Sequence, residues 1–486
     1  MAPNVQQAIV RGIGHRAVAS LVTTLVGFTR SVILAQLLLP NDFGTITFTL
    51  FFTNLIGSIT QFSLRHAFIH HETQNEDVTA ATLFFVDIGM ALGRVGLAFL
   101  LYPLMGWLYP DYPLLPTLLI VFFAASVLGA ATGTPIAILE RRLDYRYLAR
   151  LDMVISIFVT VITIGMAWTG WGIWSLVAEF VLTRLILAGV LFIFKPPWRL
   201  RWVIDWGFIR EFRRFSLAIS GTNLLGFLLD RFDDFWIGSA LGATSLGFYS
   251  KAYEYAQYPR RVLADPTVNV TFPAFARLQH ETQELAQVFA RATGLLIRSG
   301  CLVSVTLFVV APEFIEFLLG PKWLPSVLVF RLMVIYAIFD PLFSLLSMFL
   351  IAIGRPATTT KTRLFQVLVF IPAVILMGKW FDINGVALAA DAMIIVGFGQ
   401  LLYHARQSIS FSVTKIALAP LAATVVSGAL VWLLTAQPWL PESIGLRLLI
   451  KSSLTIGIYL GLLLLVEFRT YLLYAEYAKQ VITKRS

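Results

Sequence analysis

Long runs of apolar residues, separated by short polar stretches, occupy most of this chain. About fourteen of these runs approach the roughly 20 residues that an α-helix needs to cross the hydrocarbon core of a bilayer. The predicted spans are 15–38, 43–64, 79–101, 115–138, 152–169, 173–194, 216–241, 245–269, 290–318, 325–352, 362–380, 384–404, 413–435 and 445–467. The short alternating segments that a membrane β-barrel requires are not found in the sequence. The pattern therefore predicts an all-α polytopic membrane protein.

The overall composition agrees with this class. The 486 residues are 58% hydrophobic and 13% charged, with a mean hydropathy of +0.79, whereas a soluble chain spreads many charges through its helices. The apolar run after Arg16 is too long for a cleavable signal, so we expect the first span to be retained. Cys301 is the only cysteine, which excludes a disulfide or a thiolate metal site within one chain.

Loops rich in lysine and arginine alternate along the chain with loops that contain few of them. Sorted by loop, 24 of them fall on one side of the predicted membrane and 4 on the other. Because cytoplasmic loops are enriched in Lys and Arg, the first side is cytoplasmic, both termini are cytoplasmic and the number of spans is even. The net charge of +10 thus reflects membrane topology, and no nucleic-acid partner is expected.

The chain also repeats itself at a shift of about two hundred residues. Leu38 and Gly44 align with Leu241 and Gly247 at an offset of 203 residues. Pro103 and residues 115–116 align with Pro312 and residues 324–325 at an offset of 209. Residues 172–173 align with residues 385–386 at an offset of 213. Chance similarity among apolar segments is the alternative for any single match, and three matches in the same order argue against it. Duplicated helical bundles are typical of transporters whose halves move about a shared site.

The repeat predicts five regions along the chain. They are an N-lobe of six spans at 1–195, a linker at 196–214, a C-lobe of six spans at 215–410, a two-helix appendage at 411–467 and a cytoplasmic tail at 468–486. Tryptophans and arginines alternate in the linker, as is typical of a helix in the headgroup layer. The external loops are too short to hold a folded catalytic domain.

Several charged residues lie inside predicted spans, where an ionised side chain costs at least about 2.5–3.5 kcal/mol unless it is paired or hydrated. The spacing predicts local pairs between Arg231 and Asp234 and between Lys251 and Glu254. Arg298 and Arg331 lie near span ends, where we expect them to extend towards the interface. For Glu179 and Arg184 the sequence leaves a structural and a functional role equally open.

Arg30 has no acidic residue within one helical turn, and the 203 offset places it opposite Asp233. Around a pseudo-twofold axis, the two side chains would approach one central cavity from opposite sides. A guanidinium there suits a phosphate or pyrophosphate, which it binds with two parallel hydrogen bonds. The candidate substrate-binding residues are Arg30, Arg94 and Arg184, and the candidate carboxylates for cation coupling or for the cavity are Asp233, Asp87 and Asp391.

Several motifs resemble those of Wzx-type polysaccharide flippases. Residues 34–44, LAQLLLPNDFG, are similar to the LARLLSPEDFG run after the first helix of that family. Residues 229–259 resemble its seventh and eighth helices, 320–323 and 353–356 its ninth-to-eleventh region, and 385–389 its twelfth. The resemblance covers about residues 10–410. It places the chain in the multidrug/oligosaccharidyl-lipid/polysaccharide superfamily.

This resemblance implies a fold and an activity. The implied fold is two six-helix lobes forming a V around a central cavity. The implied activity is flipping an undecaprenyl-pyrophosphate-linked oligosaccharide across the bacterial cytoplasmic (inner) membrane for lipopolysaccharide or exopolysaccharide synthesis. Residues 27–31 are similar to a first-helix motif of the lipid II flippases, which implies a phosphate-binding role for Arg30. The two extra spans are similar to helices that form a groove for the lipid tail in those flippases.

Two other functions compete with this hypothesis. One is a cation-coupled multidrug exporter of the same superfamily, against which the isolated Arg30 argues. The other is a membrane polysaccharide polymerase or ligase, which would need catalytic residues on larger external loops. The leading hypothesis is therefore a transporter and not an enzyme, without cofactor other than a coupling H⁺ or Na⁺. Its expected partners are a lipid-linked oligosaccharide, membrane lipids and the polysaccharide polymerase and export machinery.

Overall fold

The computed structural model describes residues 3–60, 68, 75–194, 198, 201–436 and 440–483, and the regular structure in these ranges is helical. The chain divides into two compact units, 1–250 and 251–486. The helices of the first unit are α1 Pro3–Leu37, α2 Pro40–Thr60, α3 Glu76–Leu108, α4 Leu115–Arg141, α5 Tyr145–Trp168, α6 Ile173–Gly189 and α7 Trp206–Ala240. A π-helical turn, Val190–Phe194, extends α6.

Helix α8, Gly242–Pro259, contains the boundary between the two units. A π-helical turn at Arg260–Ala264 follows it. The remaining helices are α9 Asp265–Arg277, α10 Thr282–Val309, α11 Ala311–Leu319, α12 Val327–Ala352, α13 Pro356–Arg406, α14 Val413–Thr435 and α15 Ile444–Thr483, with a 3₁₀ turn at Pro321–Ser326 before α12. The predicted lobe boundary at 196–214 follows the repeat and stays a prediction.

Eleven helices in the described part of the chain are long and apolar enough to cross a membrane. One of them is the 51-residue α13, which departs from helical backbone angles at Phe381 and Asp382, between the predicted spans 362–380 and 384–404. The predicted spans 216–241 and 245–269 fall in α7 and in α8–α9, which lie outside the eleven. The all-α, multi-pass class is thus confirmed, and the count of fourteen stays a prediction.

The helices expose apolar side chains on their outer faces and bury others between them. Leu100, Trp168 and Leu465 are 74%, 81% and 82% exposed, as expected for surfaces that contact lipid tails. In the first unit, Phe122 and Val177 are buried in one cluster that joins α4 to α6, and Leu50 of α2 packs against it. The bundle is therefore apolar outside and inside, which makes each polar group in it conspicuous.

A close backbone contact joins α2 to α8, the two helices that the repeat pairs. A Cβ atom at Gly44 would lie 1.7 Å from the carbonyl oxygen of Ala243, and one at Gly247 would lie 1.9 Å from that of Pro40. Pro40 and Ala243 are separated by the same 203 residues as Gly44 and Gly247, so the contact is reciprocal. Small residues that let two helix backbones approach are a recurrent membrane interface. The geometry supports the offset predicted from the sequence.

An aromatic cluster extends this contact along α2 and α7. The Phe51 and Phe235 rings stack with centroids 5.1 Å apart, and Gly238 gives space to the ring of Phe48. The Tyr112 hydroxyl, from the loop before α4, donates a hydrogen bond of 2.7 Å to the Gly238 carbonyl. Burial of this phenol raises the pKa of Tyr112. Together these contacts fix α7 against α2.

The backbone corrects one part of the predicted repeat. Gly172, at the start of α6, has φ 53° and ψ −131°, and Asp382, at the bend of α13, has φ 51° and ψ −140°. The two turns are therefore equivalent at an offset of 210, which continues the earlier offset of 209. The predicted match of Gly172 to Gly385 is shifted by three residues, because the shared glycine was aligned in place of the shared turn.

The described part of the linker is tied to α3. Residues 196–197 and 199–200 of the predicted linker lie outside the described residues, and 201–205 are not helical. The Trp198 ring lies 5.7 Å from that of Phe84, and the Arg201 guanidinium lies 3.3 Å from the carboxylate of Asp77. Asp205 then accepts hydrogen bonds from the first amides of α7 and caps that helix. Of the predicted surface helix, 201–205 are thus not helical, whereas 206–214 are helical as the start of α7.

Both predicted local ion pairs are confirmed. Arg231 and Asp234 lie 3.0 Å apart, and Lys251 and Glu254 lie 2.7 Å apart. The Arg298 guanidinium binds both carboxylate oxygens of Glu467, at 2.7 and 2.8 Å, and its extension towards the interface stays a prediction. This bidentate pair joins α10 to α15 through two charge-assisted hydrogen bonds.

Replacing Gly44 by alanine will destabilise the protein. The new methyl group meets the Ala243 carbonyl, so α2 and α8 must separate, and we expect the free energy of unfolding to fall by about 3 kcal/mol. The measurement is thermal unfolding in detergent. The matched control is Gly89→Ala, where a Cβ meets nothing within 4 Å and the helix gains about 0.5–1 kcal/mol. Equal unfolding temperatures for the two variants would contradict the close contact.

Replacing Asp382 by glycine will stabilise the protein. A residue with a Cβ is strained at φ 51° and ψ −140°, and glycine relieves about 1 kcal/mol of that strain. Thermal unfolding of Asp382→Gly and of Asp382→Ala tests this, because alanine removes the carboxylate and keeps the Cβ. We expect the melting temperature to rise in the glycine variant alone, and an equal rise in both would show that backbone strain is not the cause.

Candidate functional site

A cavity of about 420 Å³ opens inside the first unit. It is lined by residues of α1, α2, α4, α5 and α6: Arg30, Ile46, Leu50, Phe122, Asp152, Ile155, Ser156, Leu176, Glu179, Phe180, Thr183, Arg184 and Leu187. Two arginines and two carboxylates thus share a space whose other walls are largely apolar. In a membrane bundle, such a cluster of ionisable residues is a candidate functional site.

Arg30 forms an ion pair at the centre of this lining. Its Nη2 lies 2.5 Å from Glu179 Oε1, and its Nη1 donates a weak hydrogen bond of 3.4 Å to the hydroxyl oxygen of Thr160. The Thr160 hydroxyl itself donates to the Ser156 carbonyl at 2.7 Å, so its oxygen can accept from Arg30. The Arg30 side chain is 17% exposed and that of Glu179 35%. The guanidinium therefore faces the cavity, oriented by one helix and neutralised by another.

Helix geometry explains why these residues meet. Arg30 lies seven residues before the end of α1 at Leu37, and Glu179 lies six residues after the start of α6 at Ile173. At a rise of 1.5 Å per residue, both lie roughly 10 Å from those helix ends. Alternation of successive helices puts these two ends on the same side. Two opposite charges at equal depth in one bundle then pair across it.

Arg184 occupies another wall of the same cavity. Its Nη1 donates a hydrogen bond of 2.9 Å to the Phe180 carbonyl one turn earlier, and its guanidinium carbon lies 3.4 Å from the centroid of the Phe180 ring. That ring in turn stacks on Phe122 of α4, with centroids 4.4 Å apart. Cation–π and carbonyl contacts stabilise a guanidinium without cancelling its charge. Arg184 thus keeps its positive charge at the cavity wall.

Arg94 and Asp87 lie elsewhere in the first unit. Both are on α3, where Arg94 faces Gly57 of α2 and Asp87 faces Gly133 of α4. Neither lines the Arg30 cavity. Arg94 Nε is buried and has no hydrogen-bond partner within the described ranges. Asp87 and Arg94 thus share one helix, as their seven-residue spacing predicts, but they lie outside the cavity that Arg30 lines.

Asp233 and Asp391 are both 6% exposed. The Asp233 carboxylate accepts hydrogen bonds from the Tyr249 hydroxyl at 2.6 Å and from the Asp234 amide at 3.0 Å. It does not line the cavity of Arg30, although the repeat places the two residues opposite each other. Asp391 lies in α13 of the second unit, with Oδ1 lacking a hydrogen-bond partner among the residues that the structure describes.

The structure therefore brings together two of the six predicted residues, Arg30 and Arg184. It adds Glu179, whose role the sequence left open, and it adds Asp152 and Thr160, which sequence reasoning missed. The depth of Glu179 along α6 was the available signal, because it equals the depth of Arg30 along α1. Thr160 carries no charge and offered no signal of its own.

A second space lies in the second unit, between α10, α12 and α14. It measures about 580 Å³ and is mostly apolar, with Phe308, Val425 and Trp432 among its lining residues. Two cations, Arg331 and Lys451, line it as well. Lys451 is paired with Glu313, and Arg331 Nε donates to the Phe308 carbonyl at 3.2 Å. Most of its wall is therefore apolar, and both of its cations contact protein groups.

Comparison with known proteins finds relatives along most of this chain. The lipopolysaccharide biosynthesis protein WzxC of Escherichia coli strain K12 is 21% identical over 394 residues, which are 79% of this chain and 78% of WzxC. The succinoglycan biosynthesis transport protein ExoT of Rhizobium meliloti strain 1021 is 24% identical over 326 residues, 66% of this chain and 65% of ExoT.

Solved structures share the fold at lower sequence identity. The lipid II flippase MurJ, in an inward closed conformation, superposes with a TM-score of 0.76 at 16% identity, over 94% of this chain and 99% of MurJ. An inward-facing multidrug transporter of the MATE family gives 0.62 at 14% identity, over 81% of this chain and 98% of the transporter. The family model "polysaccharide biosynthesis protein" matches residues 33–328. The resemblance to Wzx-type proteins is therefore confirmed, and the chain belongs to the polysaccharide biosynthesis protein family.

Proposed function

We propose that this protein flips an undecaprenyl-pyrophosphate-linked oligosaccharide across the bacterial cytoplasmic membrane by alternating access, for synthesis of a surface polysaccharide. The observation that carries the proposal is the pair of arginines, Arg30 and Arg184, in a cavity of about 420 Å³ within a largely apolar bundle. The relatives support it, since WzxC is named for lipopolysaccharide biosynthesis and ExoT for succinoglycan transport.

The physical task is to carry a charged pyrophosphate and a polar sugar through a layer of low dielectric constant. A fixed guanidinium lowers the energy of the phosphate there, because it replaces water with charge-assisted hydrogen bonds in a fork that matches two phosphate oxygens. Hydroxyl groups of Ser156 and Thr183 on the same walls suit hydrogen bonds to sugar hydroxyls. No covalent step is required.

The polyprenyl tail can remain in an apolar environment throughout. The groove between α10, α12 and α14, about 580 Å³ in volume, suits part of a hydrocarbon chain, and the lipid II flippases that the appendage resembles use extra helices in this way. We assign the tail to this groove. Its apolar lining makes transfer from the bilayer nearly neutral in free energy, since lipid and groove are similar solvents.

Cation coupling is part of the proposal. Asp87, Asp233 and Asp391 are the candidate carboxylates for H⁺ or Na⁺. Asp391 is the strongest of the three, because it is buried and one of its oxygens lacks a hydrogen-bond partner within the described residues, as expected of a carboxylate that binds a cation or a proton. The polysaccharide polymerase and export machinery are the proposed protein partners.

Replacing Arg30 by alanine will reduce polysaccharide export. Loss of a charge-assisted contact of about 1.5–3 kcal/mol lowers affinity for the pyrophosphate headgroup by about tenfold to a hundredfold. Arg30→Lys keeps the charge without the two-pronged geometry and should give an intermediate result. The measurement is surface polysaccharide in a strain whose chromosomal copy is deleted and replaced by each variant.

Stability needs a separate control, because Arg30→Ala also leaves Glu179 without its cation. The double variant Arg30→Ala/Glu179→Gln removes both charges, so it should regain wild-type stability and still fail in export. Undiminished export by Arg30→Ala at normal protein levels would contradict the proposed binding role.

The proposed orientation predicts which turns a membrane-impermeant maleimide can reach. Because Cys301 is buried, Cys301→Ser gives a cysteine-free background in which Trp171→Cys and Arg146→Cys place single thiols at opposite helix ends. Both positions are exposed. In intact spheroplasts we expect Trp171→Cys alone to be labelled, and Arg146→Cys only after permeabilisation. The reverse pattern would place the termini outside.

A further inference from the structure

The cavity already contains an anion for Arg30. Glu179 Oε1 lies 2.5 Å from Arg30 Nη2, in the position that a phosphate oxygen would take on that nitrogen. Any anionic ligand of Arg30 must therefore first displace the Glu179 carboxylate. The Glu179 side chain is 35% exposed, so it has open space into which it can move.

The exchange gives little to a ligand with a single negative charge. Such a ligand replaces one charge-assisted contact by another, while the freed carboxylate stays in the same cavity with Asp152 and repels the incoming anion. A membrane offers such anions in excess, since each phospholipid headgroup contains a phosphodiester. An unpaired arginine in a lipid-accessible cavity would be occupied by them.

A pyrophosphate differs because it has at least two negative charges on adjacent phosphoryl groups. It can bind the Arg30 fork and also interact with the positive field of Arg184, which lines the same cavity. The second interaction compensates for the displaced carboxylate. Thr160 assists, because its oxygen accepts from Arg30 Nη1 and so holds the fork in place while Glu179 leaves.

We propose that Glu179 is a specificity-determining residue: it occupies Arg30 in competition with singly charged phosphodiesters and yields to pyrophosphates. The inference rests on the proposed function, because it assigns a chemical class of headgroup to the same site. Glu179 selects headgroups by their negative charge and does not itself bind the substrate.

The experiment measures binding to the full-length purified protein in detergent by titration calorimetry. The two probes are farnesyl pyrophosphate and dihexanoyl phosphatidylglycerol, which has one phosphodiester charge. The wild type should prefer the pyrophosphate. In Glu179→Gln the affinity for phosphatidylglycerol should rise about tenfold or more, the equivalent of one charge-assisted contact, while that for farnesyl pyrophosphate rises less, so the preference falls about tenfold.

Three further variants make the result specific. Glu179→Ala is a second neutral variant and should lower the preference in the same way. Glu179→Asp keeps the charge and should retain the preference. Asp152→Asn removes a carboxylate from the same cavity but leaves Glu179 on Arg30, so it should lower the preference by much less than the neutral Glu179 variants. Thermal unfolding of each variant establishes that it is folded.

An unchanged preference in the folded neutral variants would overturn the inference, as would an equal loss in Asp152→Asn. Either result leaves the proposed function intact if Arg30→Ala still weakens farnesyl pyrophosphate binding. Pyrophosphate binding that does not depend on Arg30 would contradict the proposed function itself, and the role of Glu179 with it.

Discussion

The ion pair between Arg30 and Glu179 shows the constraint that governs the rest of the molecule. A charge inside an apolar bundle has to be paired or hydrated, because its transfer out of water is otherwise too costly. Other charges at comparable positions follow the same rule within their own unit: Arg298 binds Glu467, Lys451 binds Glu313 and Arg260 binds Asp340. Each pair also joins two different helical segments, so the contact that neutralises the charges also packs the helices together. The Arg30 pair borders a cavity that Arg184 also lines, where an anionic ligand can compete for the guanidinium.

Much of the architecture follows from the sequence because its causes are local. Apolar runs of sufficient length must become membrane helices, and charges three residues apart on one helix must meet, as Arg231 and Asp234 do. The repeat offset of 203 was also visible, since the close approach at Gly44 and Gly247 admits no side chain on either helix. The sequence alignment misplaced the later turn of the repeat by three residues. The two copies of this turn share backbone angles but not a residue type, because the second copy has Asp382 where the first has Gly172.

The partners of single buried charges were harder to predict, because they depend on which helices are neighbours. Arg30 and Glu179 are far apart in sequence, and only their equal depth from the helix ends connects them. The repeat misled at Asp233: it relates the backbones of α1 and α7, but it does not relate their side-chain surroundings. Tyr249 satisfies Asp233 inside the second copy, whereas Arg30 reaches across its own bundle to α6. Internal symmetry thus predicts helix packing more reliably than it predicts chemistry.

A flippase has to release its substrate as well as bind it, and the pair at Arg30 bears on both steps. An arginine with no alternative partner would hold a pyrophosphate strongly, because its departure would leave an unneutralised charge in the bundle. In the proposed mechanism Glu179, which pairs with Arg30, provides the alternative partner, so the guanidinium is neutralised both before binding and after release. The free-energy difference between the loaded and the empty site is thereby reduced, which favours exchange over retention. With two arginines and two carboxylates in its lining, the formal charges of the empty cavity cancel, as the proposed return of the carrier without cargo requires.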